Sequence, residues 1–115
     1  MGAGGGDMAN EHNVYVATCI VTLVMHGNRS LKDKRSVLNR VKTRVRNEFN
    51  VSAAEVGDAD RRQVAQVGLV SIGNDRAYLD GQMRRVVDFI AGITDAEISG
   101  VHLNVEIYGG DDVFL

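Results

Sequence analysis

From position 14 the chain reads VYVATCIVTLVMH, apolar at nearly every position and dense in β-branched residues. Alternation is missing, so the pattern predicts a strand over 14–26 at the centre of a sheet, covered on both faces. Gly27-Asn28 ends it. The period then changes. Leu31, Leu38, Val41, Val45 and Phe49 fall on one side at helical spacing, which predicts a helix over 31–49. Ser30 offers its N-cap, and Asp33 stands where a capping box has Glu. VSAAEV at 51–56 reads as a short strand, GDAD at 57–60 as a turn, and VAQVGLVSIG at 64–73 as a second long apolar strand. Asn74 or Asp75 caps a second helix, whose stripe is Leu79, Met83, Val86 and Ile90, with Gly92 near its end. Between 97 and 108, Val101, Leu103, Val105 and Ile107 alternate with His102, Asn104, Glu106 and Tyr108, the mark of a half-buried strand.

Strand, helix, strand, strand, helix, strand is an order that right-handed crossovers close in few ways. The commonest is the α+β ferredoxin-like βαββαβ sandwich, a four-stranded antiparallel sheet with two helices on one face. The first and third strands, being the most apolar, are expected at its centre. If the odd residues of the first strand face the helices, Val14, Val16, Ile20 and Val24 line the opposite face. Such a face favours a partner, most simply a second copy.

At 115 residues the chain is expected to form one domain, over 14–109. The leader 1–13, MGAGGGDMANEHN, is too glycine-rich and polar to bury surface, and it reads as a disordered tail; 110–115 reads as a short C-terminal tail. No apolar run is long enough to span a membrane, and no charged segment followed by an apolar one marks a secretory signal. Cys19 is the single cysteine and sits in the apolar first strand, so a buried core thiol in a reducing cytoplasm is expected.

Charge changes the picture more than composition does. The net charge is only −2, but eight of the thirteen Lys and Arg residues lie between Arg29 and Arg46, with Asp33 the one acid among them. That stretch carries +7 and the remainder −9. Solvated helix faces usually mix signs. Here Arg40 with Arg44, and Lys42 with Arg46, are like-charge pairs four apart, each costing about 0.2–0.5 kcal/mol. Lys32, Lys34 and Arg35 crowd the first turn, where the helix dipole disfavours cations by roughly 0.3–1 kcal/mol each. Three readings compete. A polyanion docks on Arg29, Lys32, Lys34, Arg35, Arg40, Lys42, Arg44 and Arg46; or acids such as Glu55, Asp58 or Asp60 fold against the helix, or it is simply solvated; or a protein partner meets it. Lys34 stands apart, because it falls inside the apolar stripe between Leu31 and Leu38.

Three features carry a family resemblance: SLKDKRS opening the first helix, FNVSAAEV leading into the second strand, and GND ahead of the second helix. In that order and spacing they resemble the YlxP-like family of small bacterial proteins, a domain of unknown function, over about 14–108. The resemblance implies a ferredoxin-like fold. It also implies ribosome work by association, since the family's genes often lie beside those for translation initiation and ribosome-binding factors. Asp33 where Glu is usual, and the glycine-rich leader, depart from the pattern.

Chemistry is absent by motif. His12, His26 and His102 form no ligand pair, so no metal or other cofactor is expected. No nucleophile elbow or phosphate loop is present. The six aromatics are scattered, and the third strand has none, so base stacking on the sheet is not expected. What remains is a non-enzymatic protein meeting the phosphates of ribosomal or other structured RNA through one helix. The alternatives are a dimeric module holding a small molecule, and an adaptor using the open sheet face.

Overall fold

The computed structural model describes residues 13–27, 30–57 and 60–108. Residues 1–12 of the expected N-terminal tail, the C-terminal tail, Arg29 and Asp58 lie outside them. The elements are β1 (Val14–Val24), α1 (Leu31–Glu48), β2 (Ser52–Val56), β3 (Val64–Gly73), α2 (Arg76–Ile93) and β4 (Glu97–Tyr108). The sheet order is β2-β3-β1-β4, and each neighbouring pair is antiparallel. β1 and β3 are central, as their apolar character requires.

Both helices begin where a side chain satisfies an orphan backbone N–H. Asp33 N donates to Ser30 Oγ at 3.2 Å at the start of α1, and Tyr78 N donates to Asp75 Oδ1 at 3.0 Å at the start of α2. Asp75, not Asn74, is the second cap. β1 ends at Val24, two residues short of the expected boundary.

The core lies between the helices and one face of the sheet. Ala17, Cys19, Val21 and Leu23 of β1 and Ala65, Val67 and Leu69 of β3 are buried against Leu38, Val41 and Val45 of α1 and Leu79, Met83, Val86 and Ile90 of α2. Burying each of the larger side chains contributes about 1.5–3 kcal/mol. Burial pushes the Cys19 thiol pKa up, because the thiolate loses its hydration. The expectation that β1 is covered on both faces is corrected: helices cover only the odd face, and the even residues are half-buried by neighbouring strands.

β4 contains a device that strict alternation hides. Its register against β1 shifts between Thr22 and Leu23, so Gly100 opposes Thr22 but Ile98 opposes Leu23. The extra residue is a bulge. Without it Ile98 and Val101 would point to opposite faces; with it Ile98 joins the residues packed on the core.

Candidate nucleic-acid interface

Helical geometry sorts the basic stretch into three groups. Lys34 belongs to none of the exposed ones, and its inclusion in a phosphate-binding set is corrected here. Only 1% of the residue is exposed. Its Nζ donates to the Arg61 carbonyl at 2.7 Å and lies 3.2 Å from Glu55 Oε2 on β2. The intramolecular pairing considered above is therefore real for this one cation. Its position in the apolar stripe carries it under the helix, where a charged acceptor and a carbonyl help to make the burial tolerable.

The second group is the flank towards β2. Arg46 donates an N–H to the Ala53 carbonyl on that edge strand. Lys42, Arg35 and Lys32 share this flank at helical spacing. Lys42 is half-buried; Lys32, Arg35 and Arg46 are exposed. Arg46 also lies in the last turn, where the helix dipole favours a cation.

The third group is Arg40 and Arg44, exposed on the flank towards α2. The Arg44 guanidinium lies over the Phe89 ring at 5.7 Å, and Phe89 meets Phe49 edge-to-face with centroids 5.4 Å apart. A positioned guanidinium of this kind has already given up part of its side-chain freedom. Both arginines line a cleft of about 650 Å³. Met25 and Val41 form its buried base, and the α2–β4 turn, with Thr94 and Asp95, supplies another wall.

Among the described residues no carboxylate forms an ion pair with Lys32, Arg35, Arg40, Lys42, Arg44 or Arg46. α2 shows what ordinary solvation looks like on this protein: Arg84 Nε donates to Asp80 Oδ2 at 2.8 Å, four residues away. With Lys34 set aside, two like-charge pairs and two first-turn cations still cost the free helix about 1–3 kcal/mol.

The open face of the sheet carries Val14, Val16, Ile20 and Val24, all half-buried. Beside them are two residues the sequence reading did not single out, Val70 and Ile72 of β3, exposed to 44% and 66%. They alternate with Leu69 and Ser71, a period-2 signal that a uniformly apolar run conceals. Gly68 leaves a hollow of about 250 Å³ between Ile20, Ala54 and Val56. A Cβ there would come 3.0 Å from Val56 Cγ1. Tyr15 packs on the core side, and Tyr108 is the only aromatic of the described residues on the open face. The sheet thus offers no row of rings for bases.

A buried polar pair closes the opposite end of the core. Ser71 Oγ lies 3.1 Å from the Asn50 carbonyl and 3.0 Å from the Gln82 side-chain amide. A hydroxyl has one proton, and Ser71 shares it between two acceptors, Asn50 O and Gln82 Oε1. His26 Nε2 lies 2.8 Å from Glu97 Oε1 at the surface.

Sheet order, all-antiparallel pairing and two helices on one face place the molecule in the ferredoxin-like class of α+β sandwiches. The chain belongs to the family described as protein of unknown function (DUF503), whose model matches residues 16–103. It is 36% identical over 74 residues to the uncharacterized protein YlxP of Bacillus subtilis (strain 168), covering 64% of this chain and 80% of that one. Two designed proteins are similar in structure. Foldit4 has a TM-score of 0.43 at 15% identity, covering 86% of this chain and 99% of its own. Ferredog-Diesel has 0.41 at 14% identity, covering 79% and 83%.

Proposed function

We propose that this is a non-enzymatic cytoplasmic protein that contacts ribosomal or other structured RNA through α1. One observation carries the reading: Lys32, Arg35, Arg40, Lys42 and Arg44 stand on one helix with no carboxylate partner among the described residues. Their mutual repulsion destabilises the isolated protein and is relieved when phosphates dock. Contact of this kind positions without reading sequence, so affinity follows RNA shape and ionic strength.

Fluorescence anisotropy with a labelled ribosomal RNA hairpin, titrated across salt concentrations, tests it. With four cations on phosphates, log affinity falls with log salt at a slope of about −3. Arg40→Glu with Arg44→Glu abolishes binding and leaves the melting temperature within a few degrees of the parent. Binding that survives this double change refutes the assignment.

The open face supports a second contact, with another copy of the chain. Three strands of ten to twelve residues and the five-residue β2, about 4.8 Å apart, present on the order of 500 Å² per copy, near the lower limit for a specific interface. The face is mainly aliphatic and hydroxylic across β1 and β3, which suits self-association under a two-fold axis. A weak dimer in sedimentation equilibrium, lost on Ile72→Lys, is the expected outcome; an unchanged monomer in both proteins refutes it.

A further inference from the structure

We infer that the cleft beside Arg40 and Arg44 receives a single unpaired nucleotide of the RNA, its flanking phosphates on the two guanidiniums and its base against the apolar patch of Val37 and Ile93. This rests on the RNA-contact reading and adds to it the kind of RNA recognised. Several features of the site converge on that ligand.

The volume, about 650 Å³, lies within the range of clefts that bury small ligands, roughly 300–1,000 Å³. Val37 and Ile93, both half-buried, give part of its lining an apolar surface that a base can lie against, whereas Met25 and Val41 are almost fully buried. Arg40 and Arg44 are one helical turn apart on the same flank, so both reach one stretch of backbone. The Arg44 guanidinium carbon lies 5.7 Å from the Phe89 ring centroid, a cation–π contact that restrains it beside the cleft. On the other wall, the Asp95 carboxylate and the Thr94 hydroxyl offer polar contacts to a base edge. Asp95 forms no ion pair with either arginine, so the cleft is not closed by its own charges. A paired base cannot enter, because extrusion from a duplex must first break its stacking. The ligand is therefore a bulged or looped nucleotide.

Gly92 makes this testable without touching charge. It lines the cleft within α2, and a Cβ added there would meet no atom within 4 Å. Gly92→Leu should fill the cleft while preserving the helix. Two RNA duplexes of equal length are compared, one uninterrupted and one with a single bulged adenine. The parent protein is expected to bind the bulged RNA about ten- to a hundredfold more tightly, the range that one stacked base confers. Gly92→Leu should erase that preference while keeping the affinity for the uninterrupted duplex and its salt slope.

Equal affinity of the parent for the two RNAs overturns the inference and leaves the helix contact standing; that comparison needs no variant to fold. A preference that persists in a folded Gly92→Leu protein also overturns it, by placing recognition elsewhere. Adenosine monophosphate that binds as tightly as the bulged RNA overturns it too, by making the site one for a free nucleotide. Failure of either RNA to bind in a salt-dependent way overturns this inference and the reading beneath it together.

Discussion

Replacing Lys34 with Met separates a structural cation from a functional one. Met keeps an unbranched apolar stem of similar length, so packing beneath α1 is largely retained. What disappears is the ammonium, with its 2.7 Å bond to Arg61 O and its 3.2 Å approach to Glu55 Oε2. A hydrogen bond from a charged donor contributes about 1.5–3 kcal/mol, and stripping one member from a buried pair costs about 3–5 kcal/mol in all. The Glu55 side chain retains 25% exposure, so water can hydrate part of the stranded carboxylate, and the lower end applies. The expected loss is about 3 kcal/mol, or about 10 °C in Tm for a domain of this size. Urea melts followed by circular dichroism measure it. Adding Glu55→Leu should restore stability to within about 1 kcal/mol of the parent, because an apolar pair replaces the ionic one. The salt slope of RNA binding should not change in either protein. A stability loss below about 1 kcal/mol, with a slope shallower by nearly one unit, refutes the reasoning and returns Lys34 to the phosphate-binding set.

Other outcomes follow from single positions. Gly57 has φ +80° and its added Cβ would collide with the Gln66 side-chain amide, so Gly57→Ala should lose about 1–2 kcal/mol in a denaturant melt. Gly92→Ala, helical and unobstructed, should gain about 0.5–1 kcal/mol in the same assay. Because burial raises the Cys19 pKa, the unfolded chain releases this proton first as pH rises. Stability is therefore fully present below the ordinary thiol pKa and declines above it. Cys19→Ala should be less stable at neutral pH yet show a shallower decline between about pH 8 and 10, around the ordinary thiol pKa. Gln82→Leu removes one acceptor of the buried Ser71 hydroxyl while Asn50 O still accepts, and should cost about 0.5–1.5 kcal/mol in a thermal melt.

Periodicity alone specified most of the architecture. The apolar runs at 14–24 and 64–73 demanded central strands, and the Leu31–Phe49 and Leu79–Ile90 stripes demanded helices on a common core. Local chemistry placed the Ser30 cap, because an N-cap depends on residues only three positions away. Sequence also fixed how much positive charge α1 carries, since charge is a property of residues wherever they fold. Its distribution could not be read in the same way. Lys34 and Arg35 are neighbours in the chain, yet one is buried on Glu55 and the other faces water; the difference comes from a strand twenty residues away. The bulge opposite Thr22, the Val70–Ile72 face and the cleft joining Arg40 and Arg44 to the α2–β4 turn likewise exist only once distant segments meet. Burial and cavities are relations between elements, so the tertiary structure decided which cations are struts, which are exposed, and which stand together at a cleft.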